Sequence, residues 1–303
     1  MILNEDISSL SLYKDVVEIA EQKGIEIIFS TLEEEKSSSE LGVSSFNPEK
    51  KIIQIEIRPS VINRVEVFIH ELLHAKSYLL GNPYIQSYSM IQINPYFHNI
   101  IGSINNSFHH HIMVYPEMKR LGYNQDDIDK QFIDNILENC DKVFEGTEKL
   151  AHAVNLLELY LRSPESILNV EHKIKKTQSD EYQLFIDLKN SILPITSPLE
   201  MRAAYAKVLK KLNEFVYQIA NESLYLNIII LVSPIFPDSY LEKSAAFSLY
   251  TLKLKGYPHV FVLDKDHNQC CYFLSNNGKD LDKNYVNNIL KESKLSDLIK
   301  MLS

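Results

Sequence analysis

The sequence predicts an α+β protein in three parts. Residues 1–123 pair a small β-sheet with one buried, histidine-bearing helix, residues 124–223 are mainly helical, and residues 224–303 form a small C-terminal α/β segment. Three observations carry this. Short β-branched runs bounded by turn residues precede residue 60. Apolar residues then recur at helical spacing, with breaks at Pro164, Pro194 and Pro198. From residue 224 the period changes again, to the apolar run LNIIILV at Leu226–Val232 and a later hairpin pattern.

Taken in order, residues 5–23 predict a helix with Ile7, Leu10, Val16, Val17, Ile19 and Ala20 as its apolar positions, stopped by Gly24. Ile25–Phe29 is a short strand, 31–40 a Glu/Ser-rich loop and Leu41–Phe46 a second strand. Asn47-Pro48-Glu49-Lys50 is a turn, because Asn bonds its own backbone and Pro fixes φ at the next position. Lys51–Ile57 alternates, with Ile53, Ile55 and Ile57 on one side and Gln54 and Glu56 on the other. Pro59 ends that strand, and Ser60 or Asn63 caps a helix over residues 61–80, which Gly81-Asn82-Pro83 terminates. Residues 84–97 read as irregular. Helices are expected at about 97–115, 125–140, 146–162, 165–190 and 198–222. Leu226–Val232 reads as a buried strand and 239–254 as a helix. Val260–Leu263 and Gln269–Leu274 read as a hairpin, and 284–302 as helical.

Composition narrows the function. The 303 residues are 45% hydrophobic and 23% charged, an ordinary globular balance. A net charge of −9 without a basic cluster argues against nucleic acid as a partner, and the Lys groups at 173–176 and 207–211 read as solvated helix faces. No apolar run is long enough to span a membrane, and the N-terminal residues have neither the basic nor the apolar part of a signal peptide. Three cysteines, two of them adjacent at Cys270 and Cys271, make no disulfide framework, so a reducing cytoplasm is expected.

The chemistry is concentrated in VINRVEVFIHELLHAKSYLL, residues 61–80, which contain the H-E-x-x-H pentapeptide His70-Glu71-Leu72-Leu73-His74. Residues four apart lie one above the other on a helix, so His70 and His74 can share one metal ion, with Glu71 within reach of a water on it. The competing reading is a polar surface helix. The apolar neighbours Val61, Ile62, Val65, Phe68, Ile69, Leu72, Leu73, Leu79 and Leu80 argue against it, because polar groups on a buried helix need partners and a metal supplies one.

Two histidines hold a catalytic zinc poorly, so a third protein ligand is expected. The search falls on NSFHHHIMVYPE, residues 106–117. On a continuous helix Phe97, Ile101, Ile104, Phe108, Ile112 and Tyr115 form an apolar stripe that includes His111, which therefore reads as a core or packing residue. Asn106, His110 and Glu117 share another face. This prefers His110 as third ligand, with Asn106 orienting it, and leaves His109 and Glu117 as alternatives. Pro116 disturbs the placement of Glu117. The competing reading is a solvent-exposed turn of three histidines. His98, His152, His172, His259 and His267 read as core or surface residues, and Tyr115 and Tyr123 are two of several tyrosines able to donate to a developing oxyanion.

Strand, turn, strand and then FIHELLHAKSYLLG resembles the zincin metallopeptidases, and within them the ImmA/IrrE-like class of small intracellular bacterial zincins, over residues 25–123. The resemblance implies a zincin-like, gluzincin-type core in which His70 and His74 bind zinc and Glu71 is the general base. A glutamate third ligand on a following helix is the usual gluzincin pattern, and here that region offers histidines. The metzincin extension is absent, with Ser77 and Leu80 at its glycine and histidine positions. The expected function is zinc-dependent hydrolysis of a protein or peptide substrate, with Lys51–Ile57 as the strand that pairs with it. Two rivals are a non-catalytic regulatory or binding protein whose metal is a structural staple, and a metal-dependent amidohydrolase.

Overall fold

The computed structural model describes residues 10–32, 41–61, 64–87, 110–123, 126–192, 195–221, 223–255, 257–276 and 280–302. The chain is mixed α+β with small sheets, and it divides into two compact units. The first comprises Met1–Asn82 and His110–Asn135, the second Pro83–His109 and Ile136–Ser303.

In the first unit, helix α1 (Ser11–Lys23) buries Leu12, Val16 and Ala20, a stripe at four-residue spacing. It stops at Gly24, whose φ of +63° is a conformation that a Cβ disfavours. The Gly24 N–H bonds to the Glu21 carbonyl at 3.0 Å and the Ile25 N–H to the Ala20 carbonyl at 2.9 Å, which satisfies the helix end. Strands β1 (Glu26–Thr31), β2 (Gly42–Asn47) and β3 (Ile52–Ile57) form a sheet of order β1-β3-β2, with β1 parallel and β2 antiparallel to β3. The predicted turn closes the β2–β3 hairpin. Asn47 Oδ1 accepts the Lys50 N–H at 3.0 Å, and the Pro48 carbonyl accepts the Lys51 N–H at 3.3 Å.

β3 alternates as expected, with Ile53, Ile55 and Ile57 all buried. Its position corrects the substrate-strand expectation. β3 is the central strand, with both backbone edges already paired, so it has none left for an incoming peptide. Among the described residues β1 and β2 are the edges of this sheet, and β2 is the one that packs beside α2 (Arg64–Leu79). The buried isoleucines of β3 share a core with Val16 and Ala20 of α1 and with Val67, Phe68, Ile69 and Leu72 of α2. Tyr13, Phe29 and Phe68 extend it with ring centroids 5.7–6.4 Å apart.

Helix α3 (His111–Arg120) packs on α2 and adds Val114 and Met118 to the same core. A helix was expected from about residue 97. Residues 97–109 lie outside the described residues, and α3 itself begins at His111, because His110 takes φ +65° and cannot continue a right-handed helix into it. Pro116 sits inside α3 and the helix runs on to Arg120. Helix α4 (Asp126–Glu138) follows.

In the second unit, strand β4 (Ile85–Ser87) precedes helices α5 (Thr147–Arg162), α6 (Pro164–Thr177), α7 (Ser179–Ser191) and α8 (Pro198–Ala220). α5 packs on α6 and α7, and α7 on α8. The helix expected over 165–190 is two helices, parted at Gln178. That side chain accepts a 2.8 Å bond from His152 and donates to the Asn139 and Lys142 carbonyls at 2.8 Å, so it anchors the break.

The segment read as a strand, Leu226–Val232, opens as a helical turn, α9 (Leu226–Ile229). It becomes β5 (Ile230–Val232) only where it pairs with β4. Residues 239–254 are not one helix but α10 (Asp238–Leu241), α11 (Ala245–Ser248) and strand β6 (Leu249–Leu252). β6 joins the predicted hairpin of β7 (Val260–Asp264) and β8 (Cys270–Leu274) in an antiparallel sheet of order β6-β7-β8. α12 (Lys283–Glu292) and α13 (Leu295–Leu302) cover it, with Val286, Leu290, Leu295 and Leu298 packed against Leu249, Val260 and Val262. None of the helices among the described residues is long and apolar enough to cross a membrane.

Candidate metal centre

α2 is held on the sheet by its apolar face, and its histidines emerge along one line. His70 and His74, one helical turn apart, bring their Nε2 atoms to 3.1 Å of each other. Two nitrogens each about 2.0–2.1 Å from a tetrahedral ion stand about 3.3 Å apart, so this spacing fits a shared metal. The third member of the group is His111, the first residue of α3. Its ring centroid lies 5.2 Å from those of both His70 and His74. The ligand atoms of His70, His74 and His111 all fall within 4.8 Å of one another, close enough to bind one metal ion. His74 and His111 are buried and His70 is half-buried.

Thus His111 stands with His70 and His74 where His110 was expected. The reason is local backbone. His110, at φ +65°, precedes α3 and does not share its helical phase, whereas His111 lies inside α3 on the buried face with Val114, Tyr115 and Met118, and this helix packs on α2. His110 is wholly buried one step away. Its ring meets Tyr78 edge-on at 4.8 Å and lies 5.7 Å from His74. Asn106 and His109 lie outside the described residues. Glu117 is turned to another task, since Arg120 Nε and Nη2 each donate to one of its oxygens at 2.7 Å. That hydrogen bond holds its carboxyl below the usual range.

Glu71 is buried, and its side chain lies against β2. A Cβ placed on Gly42 would stand 2.8 Å from Glu71 Cγ and 3.0 Å from Glu71 Oε1. Two aromatic neighbours complete the surroundings. Tyr115 is buried with its ring 4.8 Å from His111 and 5.5 Å from His70, and Tyr78 sits one turn beyond His74. Tyr115 was one of two tyrosines singled out from the sequence, without preference. Tyr78 was not singled out, although the spacing of 70, 74 and 78 already put it on the histidine line.

Two other described histidines have structural partners. His152 bonds Gln178 and stacks on Phe144 at 4.4 Å, and His267 Nδ1 lies 3.2 Å from the Asp264 carboxylate. Three imidazole nitrogens converging in a largely buried niche can bind a divalent ion and leave room for a further ligand, with a carboxylate one residue along from the first of them. Comparison with known proteins finds no matching protein-family model, no matching curated protein and no matching solved structure.

Proposed function

We propose that the chain is a zinc-dependent metallopeptidase of the zincin kind, with His70, His74 and His111 as the metal ligands and Glu71 as the general base. The observation that carries this reading is the convergence of the three histidines, two from one helical turn and one from the start of the next helix. Three nitrogen donors among the described residues suit a catalytic zinc, which keeps its fourth position for water or substrate, better than a closed structural site. Bound there, zinc would acidify a water and polarise the scissile carbonyl.

The rest falls to the protein. Glu71 takes a proton from the attacking water and returns it to the leaving nitrogen. Its burial keeps competing water away from that carboxylate, and the half-exposed flank at His70 is the side from which a substrate enters. Among the described residues β2 is a sheet edge beside α2, the position at which an extended peptide would add as a further strand, and this favours a peptide over other amides. Tyr115, against His70 and His111, is the tyrosine best placed to donate to the developing oxyanion. Three buried thiols suit a reducing, cytoplasmic setting.

The test is Glu71→Gln, assayed by mass spectrometry for cleavage of a mixed peptide library. Zinc content is expected to stay at the wild-type level while cleavage falls at least about a hundredfold, the scale of a lost general base. A variant that cleaves at the wild-type rate excludes Glu71 as the base.

A further inference from the structure

Gly42 is the first residue of β2, and its φ does not fall in the left-handed range, so backbone conformation does not call for glycine there. Space does. A Cβ at this position would stand 2.8 Å from Glu71 Cγ and 2.9 Å from Val67 Cγ1, both too close unless something shifts, and 3.0 Å from Glu71 Oε1, a tight contact. Glycine in a strand marks such a close approach. Val67 is buried and β-branched, with essentially one χ1 rotamer open to it on a helix, so it does not yield. Glu71 has rotatable bonds and would swing away.

We propose that Gly42 is a positioning residue: its missing side chain is the space in which the Glu71 side chain is held, so the edge strand fixes the orientation of the general base. This rests on the reading of Glu71 as base at a zinc site. It makes β2 serve twice, as the sheet edge to which a peptide would add and as the wall that sets the carboxylate.

The probe is acetohydroxamic acid, which chelates zinc and leaves its hydroxyl proton on a neighbouring carboxylate. Its affinity therefore reports where Glu71 points without any turnover. The experiment measures zinc content and acetohydroxamic acid affinity of the full chain as wild type, Gly42→Ala, Glu71→Gln and the double variant. All four are expected to hold zinc. Gly42→Ala and Glu71→Gln should each weaken the probe by about tenfold or more, the loss of one charge-assisted hydrogen bond. The double variant should be no weaker than Glu71→Gln, because both changes remove the same contact.

If Gly42→Ala holds zinc and binds the probe as wild type does while Glu71→Gln does not, the inference is overturned and the zinc-site reading stands. A double variant showing the product of both losses also overturns it. If wild type takes up no zinc, or Glu71→Gln binds the probe unchanged, the reading itself fails and carries the inference with it. Should Gly42→Ala fold poorly, thermal unfolding in a Val67→Ala/Glu71→Ala background decides. The inference requires the alanine to be nearly silent there, and a drop as large as in wild type overturns it.

Discussion

Arg202, at the start of α8, is 2% exposed and places Nη2 2.9 Å from Asp264 Oδ2 and 3.2 Å from Cys271 Sγ, while Nε donates to the Ser233 carbonyl at 3.2 Å. Asp264 in turn accepts the backbone N–H groups of His267 and Gln269. Burial opposes charge on this carboxyl, but the His267 hydrogen bond and the Arg202 guanidinium outweigh it and bring its pKa down to about 2. The same burial pushes the Cys271 thiol up to about 12, so it sits here as a packing residue and not a nucleophile. Removing one partner of a buried pair strands the other charge at a cost of about 3–5 kcal/mol. Asp264→Ala should lower the urea unfolding free energy of the second unit by that order, and a loss under about 1 kcal/mol would mean that the pair is not buried as described. None of this was legible from the sequence, because Arg202 and Asp264 are far apart along the chain and neither stands in a motif.

The β2–β3 hairpin shows what sequence does carry. Asn47 and Pro48 specified the turn, and it formed where their hydrogen bonds require. The turn ends at Lys51, an exposed non-glycine residue at φ +54°. Lys51→Gly should therefore raise stability by about 1 kcal/mol, read as a higher midpoint in chemical denaturation; an unchanged or lower midpoint would remove the strain argument. Elements with strong periodicity or punctuation were similarly readable: α1 with its Gly24 stop, the alternation of β3, and the β7–β8 hairpin. What failed was whatever a distant partner decides. The order β1-β3-β2 put the expected substrate strand in the middle, and Leu226–Val232 divides into helix and strand because only its last residues meet β4. In the histidine cluster His70 and His74 were legible from their spacing on one helix. His111 was not, because it lies on an apolar, buried face that reads as packing until that face is known to meet α2.

For the whole molecule, acid should act in two steps on the second unit. Burial holds the His152 imidazole down at about 4, against an ordinary 6.5, despite its hydrogen bond to Gln178 Oε1. The unfolded chain binds a proton there below about 6.5 and the folded one does not until about 4. Stability is therefore full above that window and falls by up to about 3 kcal/mol as pH drops through it. Asp264, charged in the fold down to about 2 against an ordinary 3.8, adds a further loss between about 4 and 2. Denaturation midpoints measured from pH 7 to 3 should decline from about pH 6.5, and His152→Gln should flatten the upper part of that decline. A flat curve down to pH 4 would contradict it.

In the first unit the proposed metal would add to stability instead. A metal that binds only the folded state adds about 4 kcal/mol at a thousand times its dissociation constant, so chelation should selectively loosen α2 and α3. The proposed function requires His70, His74 and His111 to hold one zinc ion. The most direct measurement is the zinc-to-protein ratio after loading and dialysis, compared across wild type, His110→Ala and His111→Ala. One zinc per chain is predicted in wild type and His110→Ala, with little or none in His111→Ala. Full occupancy in His111→Ala together with loss in His110→Ala, or no zinc in wild type, would contradict it.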